Sequence, residues 1–303
     1  MRGRFAPSPT GELHLGNLRT ALAAWCSARA QRGSFVVRME DLDPVTSSPA
    51  HEAGQLADLA AIGIRSDDVV VRQSERFDRY RDAIERLRAD DLVYPCYCTR
   101  REIREAAAAP HGEPVPDGAY PGTCRRLSEA DRRARETEGR RPALRLRTDG
   151  RMITVDDRVA GRYTGAIDDV VLQRNDGVPA YNLAVVVDDD LQGVTEVVRG
   201  DDLLSSTPRQ VHLQQLLGLA TPTYAHVPLV VGADGVRLAK RHGAVTLSRL
   251  ADRGVTVERV VAWLGSSLGV DRVDDAVTAD ELASRFRWDT VPREPCVWRD
   301  DAL

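Results

Sequence analysis

Arg4-Phe5-Ala6-Pro7-Ser8-Pro9-Thr10-Gly11-Glu12-Leu13-His14-Leu15-Gly16-Asn17 reads as a short strand, a loop rich in Pro, Ser, Thr and Gly, and the opening of a helix. From His14 to Ala30 the apolar residues Leu15, Leu18, Leu22 and Trp25 recur at helical spacing. A strand delivered through a loop onto a helix N-terminus suits phosphate, because the first N–H groups of the helix are unpaired and sit at the positive end of its dipole. Gly16 removes a side chain where an adenine or ribose would pack, and His14 can donate to a phosphate. A histidine that opens a helix also serves as an ordinary cap.

Working outward, Ser34–Met39 (SFVVRM) is a buried-type strand. Ser48-Pro49 reads as an N-cap with proline at the first helical position, opening a helix to about Ile62. A further helix covers about Glu75 to Ala89. Strands alternating with helices predict a parallel, Rossmann-type α/β sheet. The pattern resumes with a strand at Val170–Arg174, a turn at Asn175-Asp176-Gly177 and a helix at Ala180–Asp188. It continues with a strand at Thr195–Arg199, a helix at Thr207–Leu217 and a strand at Val227–Val231.

Between these halves the character changes. Leu92 to Thr164 holds three of the five cysteines, a stretch rich in Pro and Gly, and many arginines. Thr99-Arg100-Arg101-Glu102 is a capping box that starts a short helix. The reading is an insertion with its own small fold. The expected organisation is 1–91 and 165–245 as the two halves of one catalytic domain, 92–164 inserted, and 246–303 a short helical C-terminal tail with a capping box at Thr278–Glu281.

The chain of 303 residues is 42% hydrophobic and 29% charged, which fits an ordinary globular protein. It has no apolar run of membrane-spanning length and no signal core at its start, so a cytoplasmic location is expected; a monomer is the expected state. A net charge of −4 does not advertise a nucleic-acid binder, but local basic patches matter more than the total. An odd number of cysteines argues against a disulfide framework. The cluster of Cys96, Cys98 and Cys124 suggests a metal instead, since zinc takes four soft or borderline ligands in a tetrahedron. Lys and Arg total 42, yet the only lysine is Lys240. It stands in Arg237-Leu238-Ala239-Lys240-Arg241, after a turn at Gly232–Gly235. A slim ammonium in a chain that otherwise uses arginine points to a phosphate ligand.

RFAPSPTGELHLGN resembles the first signature of class I aminoacyl-tRNA synthetases in its glutamate-type form, and RLAKR resembles the second, the lysine loop that closes over ATP. VRMEDLD, AYNLAVVVDDDLQGVTEVVRGDDLL and TPRQVHLQQLLG are also similar to glutamyl-tRNA synthetases. The resemblance extends to about Val245. It departs at Arg237, where the family usually has lysine, and at Ala239, where it usually has serine. It implies ATP contacts at His14, Gly16, Asn17, Arg237 and Lys240, with Lys240 and His14 catalytic and Mg²⁺ on the phosphates. It implies L-glutamate at Arg4, Phe5, Ala6, Pro7, Ser8, Glu40, Tyr181 and Arg199. Glu40 would face the ammonium, and Arg4 and Arg199 the carboxylates.

A full glutamyl-tRNA synthetase continues into helical domains that read the anticodon, whereas this sequence ends at Leu303 and carries the cysteine cluster. Both features resemble the short branch of the family that glutamylates the queuosine base of tRNA(Asp). In that branch a tyrosine placed as Tyr-x-x-x-Cys completes the Zn²⁺ site, which implies Tyr120 beside Cys96, Cys98 and Cys124; His111 is the orthodox alternative. The arginines from Arg125 to Arg162 would hold RNA or form a solvated face. Three rivals stand beside this reading. One is a truncated synthetase charging the 3′ end of tRNA(Glu). The others are a small-molecule nucleotidyltransferase of the same superfold and an inactive tRNA-binding paralogue.

Overall fold

β1 (Arg2–Phe5) runs along the centre of the molecule, and the chain leaves it through the Pro/Ser/Gly loop into α1 (Leu15–Ala30). The computed structural model describes residues 1–303 apart from 108–119, 237, 239–244, 272, 274–275 and 300–301. β2 (Ser34–Met39) pairs with β1 in parallel. α2 (Pro49–Ala61), capped by Ser48, leads to β3 (Val71–Arg72), parallel to β2, and α3 (Phe77–Ala89) follows. Leu15, Leu18, Leu22 and Trp25 are all buried. α1 is buried almost all round, because it packs on the sheet with one face and on later helices with the other.

Next come β4 (Val93–Cys96), α4 (Arg100–Ala107), α5 (Glu129–Thr137), β5 (Ala143–Leu146), β6 (Met152–Asp157), β7 (Gly161–Ala166) and β8 (Val171–Gln173). α6 (Tyr181–Leu191), β9 (Glu196–Gly200), α7 (Thr207–Leu217), β10 (Thr223–Val227) and β11 (Val230–Val231) return to the core. α8 (Leu247–Asp252), α9 (Val257–Ser267), α10 (Ala279–Arg285) and β12 (Cys296–Val297) complete the described elements. The main sheet has seven strands in the order β3-β2-β1-β9-β10-β6-β7. Its pairs are parallel except β6–β7. No described helix is long and apolar enough to cross a membrane.

Two expectations change. The strand read at Val227–Val231 is two strands. β10 ends at Val227, Pro228 has no N–H to continue a ladder, and its carbonyl accepts from the buried Arg19 Nη1 at 2.6 Å. The segment 92–164 is not self-contained: β6 and β7 extend the main sheet, while β8, read as part of the second half, pairs with β5 in a three-stranded sheet with β4. The C-terminal part is helical, as expected, and packs on the core. α9 and α10 cover α1 from outside, and β12 pairs in parallel with β11. Leu264, Leu268, Leu282 and Trp298 belong to the same hydrophobic cluster as α1 and β2.

Candidate functional site

The carboxyl ends of β1, β2 and β9 open on one side of the sheet, where the chain order reverses direction between β1 and its two neighbours. Such a switch point is where open α/β sheets bind ligands. A cavity of ≈ 580 Å³ lies there, and its walls include Arg4, Phe5, Ala6, Pro7, Ser8, His14, Gly16, Asn17, Glu40, Tyr181 and Arg199. Every residue expected at glutamate, and every described one expected at ATP, lines this space. Arg237, Ala239 and Lys240 lie outside the described residues. The neighbours of that segment, Leu238 and Val245, are both buried. Leu238 N–H donates to Val230 O at 3.1 Å, and Val245 O accepts from Leu15 N–H at 2.9 Å, so both flanks are anchored beside the start of α1.

His14 is the N-cap of α1. Its Nδ1 accepts from the N–H groups of Gly16 (3.1 Å) and Asn17 (3.3 Å), and Asn17 Oδ1 accepts from His14 N–H at 3.2 Å. The capping role is therefore real, and with Nδ1 an acceptor the neutral ring carries its proton on Nε2. A β-carbon on Gly16 would approach His14 Cε1 to 3.0 Å, so this glycine makes room first for the imidazole. Gln55 of α2 is buried and donates to Ser8 O (3.0 Å) and Gly11 O (2.8 Å), fixing the loop between β1 and α1.

Beneath the cavity lies a network of buried charge. Arg4 Nη1 donates to Val198 O at 2.9 Å, and its Nε is 3.5 Å from Asp189. Arg38, wholly buried, donates to Asp189 Oδ1 (2.8 Å) and Gln192 Oε1 (2.9 Å) and lies 3.6 Å from Glu40. Asp188 accepts from Gln73 (2.9 Å), Arg76 (2.7 Å) and Tyr80 (2.7 Å). Burial pushes the Glu40 carboxyl above the usual carboxylate range, against the pull of Arg38 and Arg4, so an ammonium arriving beside it would favour its ionised form. Burial likewise raises the Tyr181 phenol, which stays a neutral donor.

Arg199 is held differently. Its Nε donates to His226 Nε2 (3.0 Å), its Nη1 to Gln210 Oε1 (2.8 Å) and its Nη2 to Thr207 Oγ1 (2.9 Å). Asp188, Asp189, Arg38, His226, Gln210 and Thr207 were not singled out from the sequence. A visible signal existed for two of them, since Asp188 and Asp189 directly continue the apolar run Leu183–Val187, which is buried throughout.

A second cleft, ≈ 1080 Å³, adjoins the first and shares Ser8, Thr10, Glu40 and Tyr181 with it. Its far wall carries Cys96, Cys98, Arg100, Arg140 and Arg145. The sulfurs of Cys96, Cys98 and Cys124 lie within 4.8 Å of one another. Cys98 and Cys124 Sγ are 3.4 Å apart, and Tyr120 Oη is 3.3 Å from Cys96 Sγ and 3.7 Å from Cys98 Sγ. Ligands around a tetrahedral zinc stand about 3.5–3.8 Å apart, so this donor set fits the ion. The hydrogen bond shared with Cys96 lowers the Cys124 thiol, against burial and with help from the Tyr97 N–H, while the same bond and burial raise Cys96, so the pair favours one thiolate. Burial raises the Tyr120 phenol. The Arg145 guanidinium lies 3.7 Å from the centre of the Tyr120 ring. His111, the alternative ligand, lies outside the described residues.

Residues 1–303 match the family model for tRNA synthetases class I (E and Q), catalytic domain. The chain belongs to this family. A protein of Nocardia farcinica named glutamyl-Q tRNA(Asp) synthetase is 57% identical over 301 residues, covering 99% of this chain and 94% of its own. One of the same name from Symbiobacterium thermophilum is 47% identical over 304 residues, covering 97% and 94%. The crystal structure of a glutamate-tRNA synthetase from Elizabethkingia anophelis superposes with a TM-score of 0.84 at 27% identity, over 100% of this chain and 68% of that one. As a class I synthetase core, the chain is a ligase that uses ATP.

Proposed function

We propose that this synthetase activates L-glutamate with ATP and transfers it to the queuosine base in the anticodon of tRNA(Asp), acting in the cytoplasm as a monomer. The observation that carries the reading is the joining of two clefts at Ser8, Thr10, Glu40 and Tyr181. One is walled by the start of α1 and the buried arginines. The other is walled by the cysteine cluster and further arginines, and is large enough for a nucleobase. The names of the full-length relatives support the same acceptor.

In the first step a glutamate α-carboxylate oxygen attacks the α-phosphorus of ATP, the bond to the β-phosphate breaks, and pyrophosphate leaves with Mg²⁺ as part of the substrate. Arg4 and Arg199 hold carboxylates, Glu40 faces the ammonium, Tyr181 offers its hydroxyl, and Phe5 to Ser8 shape the pocket. His14 Nε2–H and the cations Arg237 and Lys240 serve the phosphates, while Gly16 and Asn17 line the space beside them, their N–H groups capped by His14 Nδ1. Charge stabilisation and positioning are what this class of step requires. In the second step a hydroxyl oxygen on the acceptor attacks the mixed anhydride carbonyl, AMP leaves with the bonding electron pair, and the hydroxyl proton is released. Zn²⁺ on Cys96, Cys98, Cys124 and Tyr120 would be structural, tying β4 to the 120–124 turn at the edge of the acceptor cleft.

Mass spectrometry of tRNA(Asp) nucleosides, after incubation with glutamate and ATP, tests the proposal. A mass increase on queuosine supports it. Glutamate found on the 3′ end of tRNA(Glu) instead would select the truncated-synthetase reading.

A further inference from the structure

Arg199 differs from the other two arginines beneath the amino acid pocket. Arg4 and Arg38 share the carboxylate of Asp189, at 3.5 and 2.8 Å. Among the described residues, Arg199 has three hydrogen-bond acceptors, all neutral: a histidine ring, an amide and a hydroxyl. No carboxylate is hydrogen-bonded to it, although the residue is only 5% exposed, and Asp189 acts on it only through space. Asp157 is kept one residue away. Asp157 Oδ2 accepts from His226 Nδ1 at 2.6 Å, while His226 Nε2 faces Arg199 Nε at 3.0 Å.

The chemistry of the histidine is decided by Arg199 and Asp157, because the third neighbour, the Thr207 hydroxyl at 3.2 Å from Nε2, can either donate or accept. An arginine Nε–H can only donate, so Nε2 of His226 must be the bare, accepting nitrogen. The proton then sits on Nδ1 and is donated to Asp157. The carboxylate is itself locked, because its Oδ1 accepts from the N–H groups of Val159 (2.9 Å) and Ala160 (2.8 Å), and both oxygens lie 3.1 Å from His226 N. Arg199 and His226 are register partners on β9 and β10, and Asp157 ends β6 on the next strand. Three adjacent strands thus form a line from a carboxylate through an imidazole to a guanidinium.

We infer that His226, with its tautomer set by Asp157, is a positioning residue that aims the Arg199 guanidinium at a carboxylate of the amino acid substrate without itself giving the guanidinium a carboxylate partner. This rests on the reading of Arg199 as a glutamate ligand. It gives the β6–β7 hairpin, which belongs by sequence to the inserted segment, a part in amino acid recognition.

The experiment is glutamate-dependent pyrophosphate exchange by the full chain, reading KM for glutamate and for ATP separately. In Asp157→Asn, the carboxamide oxygen is claimed by the N–H groups of Val159 and Ala160. Its NH2 then faces Nδ1, forces the proton to Nε2, and sets two donors against each other at Arg199. KM for glutamate should rise about tenfold or more, the scale of a lost hydrogen bond to a charged group, with KM for ATP changed less than about twofold. His226→Gln keeps an acceptor near Nε2 and has no tautomer. It should stay within about threefold of wild type for glutamate, and adding Asp157→Asn to it should cost little more. An unchanged glutamate KM in Asp157→Asn would overturn the inference, as would equal rises in both KM values or a double variant with fully additive losses. If the wild type itself shows no glutamate-dependent exchange either without or with tRNA, the failure belongs to the reading of Arg199 and not to this inference.

Discussion

The backbone N–H of Cys124 donates to the phenolic oxygen of Tyr120 at 2.8 Å, so the tyrosine that faces Cys96 and Cys98 is already solvated by the turn that carries the third cysteine. A hydrogen bond given to a phenolic oxygen favours its ionised form, the form in which it would bind a metal. The purified protein should carry one zinc per chain by elemental analysis. Cys98→Ser should release it, and Tyr120→Phe should lower its retention. Full retention in Tyr120→Phe would move the fourth position to His111 or water.

Asp189 holds both Arg38 and Arg4 in a region closed to solvent. Removing one partner of a buried ion pair is costly because the remaining charge is stranded, typically by about 3–5 kcal/mol. Asp189→Ala should lower the unfolding free energy by about that much, read as a lower denaturant midpoint, and Asp189→Asn by less, since the amide oxygen still accepts from Arg38. A midpoint within error of wild type would mean that Glu40 and Asp188 suffice to balance the arginines.

Stability should fall on mild acidification. Burial holds the His226 imidazole below its ordinary range, with the nearby Arg199 charge acting in the same sense and Asp157 opposing. Burial also lowers His212. A group with a depressed pKa binds more protons when unfolded, so the stability it contributes is complete above about pH 6.5 and is lost as pH falls through the folded value. Asp157 adds a second step further down. Burial pushes its carboxyl up, but hydrogen bonds from His226 and Ala160 win and hold it down to about 2, so its contribution is present above about pH 4 and lost toward pH 2. Thermal melts from pH 8 to 5 should show Tm declining below about pH 6.5, and His226→Gln should flatten that decline.

The parts of the fold that declare themselves in sequence are those where one local rule dominates. SFVVRM can hardly be anything but a buried strand, and the Ser48-Pro49 and Thr278–Glu281 caps mark helix starts that the structure keeps. The parts that stayed hidden depend on distant partners. Nothing local to Met152–Ala166 says that its hairpin will join the far edge of the main sheet, because the alternation of MITVDD fits any half-buried strand. Tyr224 and His226 could not be placed while Pro228 was read inside a strand. The site followed the same division. Arg4, His14, Glu40, Tyr181 and Arg199 stand within recognisable segments, whereas Asp157 matters only because β6 lies beside β10.

Glutamate-dependent pyrophosphate exchange should occur without tRNA. Arg199, Arg38 and the loop at Ser8 to Gly11 are fixed by partners within the chain itself, at 2.8–3.0 Å throughout. A pocket whose side chains are positioned by its own chain does not need an acceptor to complete it. Exchange that appears only on adding tRNA would mean that the acceptor rearranges this pocket.

The last expectation concerns Lys240, the single lysine of the chain. Lys240→Arg keeps the charge and repeats the residue that the sequence uses at every other basic position of the Lys/Arg pair. It should nonetheless cripple adenylation. An ammonium is compact and can follow a phosphate oxygen as charge accumulates, whereas a guanidinium is wide, planar and suited to two fixed oxygens. Loss of one contact to developing charge costs about 2.7–4 kcal/mol of barrier, or about 10²–10³ in rate. The flanks of the segment, Leu238 and Val245, stay anchored in the core by their own bonds, so the melting curve should move little. KM for glutamate should hold as well, since Arg4, Glu40, Tyr181 and Arg199 stand on β1, α6, β9 and the end of β2. Pyrophosphate exchange by the purified variant, measured beside its thermal melt, separates the cases. Near-normal exchange from a well-folded Lys240→Arg protein would show that the lone lysine is an accident of composition, and the reading of RLAKR as the ATP loop would have to be withdrawn.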